Sequence, residues 1–350
     1  MRFAYGDSMS YFYINKWDKK WGPGIRSLTI SKKIPSFFHF GFNWKLNEQL
    51  HFEYFHGKLK SNIADINLSE YYDDNSSFEI LRNIVGHRLD WIVGDKLILT
   101  ASELVTYANR SLEVTYLLPF IPFFPLQGYV GEVDNIIVSG EIQYSPDKKS
   151  KIYGVLLMDE WTPPTTFSKD NHNWMGWQIG LEKFDLIFDD VFHLEYNWTD
   201  HRIYRHRYSV NDYYSYGYPI GFWAGPHAQE FYFDYVLLLG KNTIKFMYSN
   251  AKRAELTNEM LEEQYCWPDN CDEEIVSTYD RFSGIKESKQ VLKLSIEREL
   301  YGNMHVNLSY TYVDWKNSGS IFNVSTSDLI INDTSDIMKH SLGLNIRYSY

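Results

Sequence analysis

The sequence predicts an all-β fold, an antiparallel transmembrane β-barrel of the outer-membrane kind. Three observations point to it. Apolar and polar residues alternate with a period of two in segments of roughly ten residues, the length that a tilted strand needs to cross a bilayer. The links between these segments alternate strictly between short and long. The chain also ends on such a segment, with Leu342, Leu344, Ile346, Tyr348 and Tyr350 on one face and Ser341, Gly343, Asn345, Arg347 and Ser349 on the other. A greasy face ending in aromatics, opposite a small and polar face, suits a strand with lipid outside and water inside.

The strands follow in order. Phe38, Phe40, Phe42, Trp44 and Leu46 oppose His39, Gly41, Asn43 and Lys45. Phe192, Leu194, Tyr196 and Trp198 oppose His193, Glu195, Asn197 and Thr199. Phe231, Phe233, Tyr235, Leu237 and Leu239 oppose Glu230, Tyr232 and Asp234. Met304, Val306, Leu308, Tyr310 and Tyr312 oppose Asn303, His305, Asn307, Ser309 and Thr311. Continuing this pattern gives about thirteen strands from Ser36 to Tyr350 and one or two more between Ser8 and Ser31. In Leu97 to Tyr107, Glu103 shares the parity of Leu97 and Leu99, so a bulge is expected there.

Short, turn-like links lie at Asn47-Glu48, Val93 to Asp95, Ser145 to Ser150, Phe184 to Asp190, Gly240 to Asn242 and Tyr301 to Asn303. Longer ones fall at 61–80, 110–130, 161–172, 205–226, 253–288 and 316–337. Outer-membrane barrels have short periplasmic turns and longer outer loops, and a soluble sandwich has no reason to sort its links this way. With the C-terminus periplasmic, every long link is external. Arg253 to Glu263 has a helix-forming composition and is expected as a short helix in one of these loops.

Composition sets limits. The 350 residues are 44% hydrophobic, and no run approaches the ~18–20 apolar residues of a membrane helix. Leu117 to Leu126 is greasy but holds Pro119, Pro122 and Pro125, which makes it a loop. The 28 Tyr, 22 Phe and 11 Trp suit interface girdles and pore linings. A net charge of -11 without a basic cluster excludes nucleic acid as partner. No apolar signal-peptide core follows Met1, so the start of an exported barrel is expected upstream of this sequence.

Cys266 and Cys271 are expected to form a small disulfide at a loop tip in an oxidising compartment; a metal pair would need a second Cys or His pair nearby. Beside them Asp269, Asn270, Asp272, Glu273 and Glu274 lack an EF-type spacing, so a solvated loop is favoured over a Ca²⁺ site, and neither metal nor cofactor is expected.

One strand face collects His39, His51, Glu53, Arg88, Asp90, Glu141, Glu182, His193, Glu195, Glu230, Asp234, Glu297, Glu299 and Arg347. The plain expectation is a lumen of mutually paired, solvated charges. The functional one is a polar, aromatic-lined surface for carbohydrate, with amides and carboxylates on hydroxyls and rings on C–H faces. Signs of catalysis are weak. No G-x-S-x-G elbow occurs. Asp200 and His201, adjacent on a strand, would face opposite ways. Glu195 and Glu230 could meet across neighbouring strands as a glycosidase-like pair. Trp21-Gly22-Pro23-Gly24 and Gly221 to His227 are either tight turns at strand mouths or loops folded inward to plug the lumen or approach a ligand.

These two segments, with Ile25 to Ser31, Pro35, His87-Arg88-Leu89, Ser102-Glu103, Tyr107, Leu118-Pro119-Phe120, Val133-Asp134-Asn135, Leu156 to Glu160, Glu195-Tyr196 and the stretch to Glu230, resemble the Wzi-like capsule assembly family of outer-membrane proteins. The resemblance implies an eighteen-stranded barrel plugged by loops, of which about 14–16 strands are expected here, with the signal peptide, helical segment and first strands lacking. It further implies a monomeric, non-enzymatic, lectin-like surface protein, embedded in outer-membrane lipid, that binds exported polysaccharide and helps attach or assemble capsule. Trp21, Gly22, Pro23, Gly24, Arg88, Glu103, Asp134, Asn135, Glu195, His227 and Glu230 are the residues expected to bind polysaccharide or shape its site. The competing expectation is a diffusion channel for sugars or other small solutes. The family has no counterpart of the long Cys-bearing loop.

Overall fold

The computed structural model describes residues 2–72, 78–160, 173–257, 260, 281–282, 284–300, 303–326, 328–332 and 334–348. Its strands are β1 (Arg2–Gly6), β2 (Ser10–Trp17), β3 (Phe37–Lys45), β4 (Leu50–Leu59), β5 (Arg82–Val93), β6 (Leu97–Ala108), β7 (Asn135–Asp147), β8 (Ser150–Glu160), β9 (Trp174–Phe184) and β10 (Asp190–Thr199). They continue with the two-residue β11 (Tyr214–Ser215) and β12 (Tyr218–Pro219), then β13 (Ala228–Leu239), β14 (Asn242–Ala254), β15 (Lys286–Glu299), β16 (Met304–Lys316), β17 (Ser320–Asn323), β18 (Asp328–Ile331) and β19 (Ile337–Tyr348). Fifteen of these form one antiparallel sheet in chain order, while β11 pairs β12 and β17 pairs β18 within long links. Two short helices, α1 (Ile66–Tyr72) and α2 (Phe123–Leu126), also sit in long links.

This is the meander that the alternating links require. Short links join the strands at one end and long links at the other. The pleat sorts the faces as expected: Phe38, Trp91 and Ile179 are exposed on the outer face, while His39, Glu141, His193, Glu195 and Glu230 are buried on the inner one.

Three expectations need correction. The second N-terminal strand is Arg2–Gly6, and Ser27 to Ser31 is a folded-in link joined to Trp21 by one isolated bridge to Ile30. No bulge interrupts β6, whose register with β5 and β7 is continuous; the shifts fall at Tyr144/Asp147 and Met158/Glu160. Residues 253–257 are not helical, since Ala254 ends β14 and Leu256 bridges Leu329, whereas Met260 is helical as expected and 258–259 lie outside the described residues. Residues 261–263, Cys266, Cys271 and the acidic tip lie outside the described residues.

Two apolar clusters sit on opposite sides of the wall. Inside, Phe37, Phe55, Ile84, Leu104 and Val155 of the strands enclose Trp21, Leu28, Ile30 and Ile34 from the β2–β3 link and Ile203, Tyr204, Tyr213, Ile220 and Phe222 from the β10–β13 link. Outside, Phe52, Tyr54, Val85, Val105, Tyr107 and Ile136 pack under Tyr116, Phe123 and Leu126 of the β6–β7 link. Each large side chain buried in the inner cluster contributes about 1.5–3 kcal/mol relative to exposure to water.

Candidate functional site

The β2–β3 link is held in the lumen by carboxylates of the wall. Trp21 is buried edge-on against Phe55, with ring centroids 5.1 Å apart, where Gly86 of β5 leaves room for the indole. Its Nε1–H donates to Glu53 Oε2 at 2.9 Å, and Lys19 Nζ donates to Glu53 Oε1 at 2.5 Å. Gly22 adopts φ +118°, a conformation that a side chain would strain, and Pro23 completes the turn. At Gly24 a Cβ would collide with Glu195 Oε2, so glycine lets the backbone reach that carboxylate. Ile25 and Arg26 then donate their N–H groups to Glu195 at 2.9 and 3.0 Å. The Arg26 guanidinium grips Glu230 with two bonds of 2.8 and 2.7 Å and lies over the Tyr232 ring at 4.4 Å.

Both carboxylates are saturated. Glu195 also accepts from Tyr153 OH at 2.7 Å and Asn197 Nδ2 at 3.0 Å; Glu230 accepts from Trp223 Nε1 at 2.7 Å and Ser249 Oγ at 2.6 Å. Neither has exposed surface, so this pair faces the plug and not a cleft. The β10–β13 link seals the plug from above: Tyr204 OH donates to Leu28 O at 2.6 Å, Tyr213 OH to Thr29 O at 2.9 Å, and Ser31 N–H to Ile220 O at 2.8 Å.

The other expected site residues are dispersed. Arg88 is lower on the lumen wall, paired with Asp90 at 2.9 Å and Glu141 at 3.2 Å. Asn135 is buried at the start of β7. His227 has φ +53°, accepts the Phe282 N–H at 2.6 Å and stacks on that ring; burial pushes its imidazole down to about 3, which keeps it neutral. Glu103 and Asp134 belong to the outer wall. With β6 regular, Glu103 projects outward like Leu97 and Leu99; there it bonds His87 Nε2 at 3.1 Å and accepts the Phe123 N–H at 2.6 Å. Asp134 accepts from Tyr116 OH at 2.6 Å and pairs with Arg110, and burial holds its carboxyl above the usual range. Asp200 and His201 do meet, at 2.5 Å, because β10 ends at Thr199 and frees both from the strand pleat.

Sequence reasoning missed the open cleft. At the long-link end a cavity of about 380 Å³ is lined by Lys33, Trp223, Arg253, Glu287, Lys289, Trp315 and the β11–β12 hairpin, among others. The cross-strand register places Lys289 opposite Trp315, with its Nζ 3.8 Å above the ring. Glu287 is held by Arg253 Nε and Trp315 Nε1, each at 2.7 Å. Tyr214 stacks on Phe322 at 4.0 Å behind it. The signal was available: Glu287 and Lys289 share the parity of Glu297 and Glu299, which already pointed inward.

An aromatic-walled, charge-studded cleft above a filled barrel can now be set beside known proteins. No family model and no curated protein matches the chain. A solved structure described as Wzi, an outer-membrane protein involved in group 1 capsule assembly in Escherichia coli and a carbohydrate-binding β-barrel, is similar with a TM-score of 0.59 at 14% identity, over 90% of this chain and 66% of that one. The fold is that of an outer-membrane β-barrel. The chain spans just under two thirds of the Wzi chain's length, so the likeness concerns the fold and leaves function to the site. OprD from Pseudomonas aeruginosa (TM-score 0.40, 11% identity, 97% of this chain and 76% of that one) and OmpT of Vibrio cholerae (TM-score 0.37, 10% identity, 99% and 95%) are also similar.

Proposed function

We propose that the protein resides in the outer membrane with its C-terminus periplasmic and its long links outside. There it acts as a monomeric, non-enzymatic, lectin-like barrel that binds exported polysaccharide and helps attach or assemble capsule or exopolysaccharide at the cell surface. The observation that carries this reading is the cleft at the long-link end. Trp315 and Trp223 offer rings for the C–H faces of sugars. Lys33, Lys289 and Arg253 outnumber Glu287, which Arg253 and Trp315 already engage. In a chain of net charge -11, this local excess of cations favours saccharides bearing carboxylates. Plug residues seated on Glu195 and Glu230 support binding over diffusion through the lumen.

The test is titration of the detergent-purified protein with oligogalacturonate and with neutral dextran, read by intrinsic tryptophan fluorescence. Oligogalacturonate is expected to bind and dextran to bind more weakly. Trp315→Ala is expected to weaken binding up to about tenfold, the scale of one lost aromatic contact. Equal binding by the parent and by Trp315→Ala and Lys289→Gln would remove the cleft from consideration. Single-channel conductance through planar bilayers would instead favour the channel reading.

A further inference from the structure

The β6–β7 link does not stand above the barrel. It descends along the outer wall over β3–β7, carrying a 3₁₀ turn at Val114–Leu117, then α2, then a second 3₁₀ turn at Gln127–Val130. Phe120 reaches Phe42, Trp44 and Phe52, with centroids 6.2, 5.9 and 4.9 Å away. In the strand register Trp44 lies opposite Phe52, and Phe52 opposite Leu89, the eighth of the twelve residues of β5 counted from the long-link end. The cap therefore reaches past the middle of the wall, to a depth where the outer face of such a barrel meets hydrocarbon.

Irregular backbone at that depth is tolerated only when its polar groups are satisfied. Four such groups are met here by outward-facing wall side chains that would otherwise be stranded. His87 Nδ1 bonds Pro119 O at 2.9 Å, Glu103 accepts the Phe123 N–H, Tyr54 OH donates to Tyr116 O at 3.1 Å, and Tyr107 OH accepts the Glu113 N–H at 3.1 Å. Pro119, Pro122 and Pro125 remove three donors outright. No charged residue occurs from Val114 to Gly131. The cap exposes Leu117, Leu118, Ile121, Phe124 and Tyr129 as well as the part of Phe120 that the wall leaves uncovered, with Phe124 66% and Tyr129 85% accessible. This surface runs on into the exposed apolar belt of the wall at Trp44, Leu89 and Trp91.

We propose that residues 113–130 form a lipid-immersed cap, sealed to the outer wall through His87, Glu103, Tyr54 and Tyr107, whose free face is solvated by the acyl chains of the outer leaflet. The cap would thicken the barrel on one side and anchor its long-link end in the membrane, independently of any saccharide. Continuity with the wall's apolar belt selects lipid as the occupant. A protein partner is the outcome that would replace it.

The test places the photocrosslinker p-benzoylphenylalanine at Phe120 or Phe124, with Trp91 on the bare wall as lipid-facing control and Tyr218 at the cleft as water-facing control. The full chain is reconstituted into dioleoylphosphatidylcholine vesicles and irradiated. Phe120 and Phe124 are expected to give the mass shift of one added phospholipid at a yield comparable with Trp91, and Tyr218 none. Adducts to a second polypeptide, or no lipid adduct at Phe120 and Phe124 where Trp91 gives one, would overturn the proposal.

Discussion

Glu195 and Glu103 pose the same problem on opposite faces of one wall. Each is a strand carboxylate shielded from bulk water, and each is answered by backbone N–H groups of a long link: Ile25 and Arg26 for Glu195, Phe123 for Glu103. The answers differ in chemistry. The inner link brings its own cation, Arg26, with Gly22 and Gly24 to fit it close. The outer link carries no charge between Val114 and Gly131 and replaces donors there with prolines. A lumen can hold ions because further ions and hydroxyls surround them. A wall bordered by hydrocarbon can hold only what is fully paired, so its covering segment must be apolar and short of donors.

The sharpest way to break this comparison is to remove the inner partner. Glu230→Ala strands the Arg26 guanidinium, whose side chain is 13% exposed, among Tyr232 and Trp223. Breaking such a buried pair costs about 3–5 kcal/mol. Thermal unfolding in detergent should show a large downward shift, and limited proteolysis is expected to cut between residues 18 and 36 in the variant and not in the parent. An unchanged melting profile would mean that the plug does not rely on this ion pair. Next in size is Gly24→Ala, which drives a methyl into Glu195 and is expected to cost about 1–3 kcal/mol by overpacking. A stability equal to the parent's would show that the link does not need its close approach to the carboxylate.

The strand wall was legible because a period of two fixes faces and link lengths fix ends. Neither rule says which way a long link folds. Trp21 to Gly24 could be read as turns or as a plug, and only the contacts with Glu53 and Glu195 decide it. Glu103 shows the limit most clearly. Its parity with Leu97 and Leu99 gave the true orientation, yet an outward carboxylate on a lipid wall is so costly that a bulge was the easier expectation. The partners that make it tolerable, His87 and Phe123, lie 16 and 20 residues away. The prolines at 119, 122 and 125 announced a link and nothing of where it docks. Likewise Trp315 and Lys289 become one surface only through the β15–β16 register.

The outer wall gives a prediction of middle size. Glu103→Ala leaves the Phe123 N–H and His87 Nε2 without their partner, at about 1–3 kcal/mol for orphaned buried polar groups. The loss should be confined to the cap: hydrogen exchange should rise over residues 113–130 and stay unchanged over 18–36. Equal increases in both links would show that the two sides of the wall are coupled, contrary to the separation drawn above.

The smallest effects sharpen the comparison most finely, through two tyrosines that stitch their links in place. Tyr204 OH donates to Leu28 O at 2.6 Å and accepts the Phe222 N–H at 3.0 Å, so Tyr204→Phe orphans two backbone groups of the plug. Tyr116 OH makes one such bond, to Asp134 at 2.6 Å, and Asp134 keeps Arg110 when it is lost. Tyr204→Phe loses two neutral bonds at about 0.5–1.5 kcal/mol each and leaves two backbone groups unpaired. Tyr116→Phe loses one bond to a carboxylate that keeps its cation, so Tyr204→Phe should destabilise at least as much as Tyr116→Phe. Paired thermal melts of the two variants measure the difference. If Tyr116→Phe proves the more damaging, the apolar cap depends on its few polar anchors more heavily than the charged plug depends on its many, and the contrast between the two sides would lie in redundancy and not in charge.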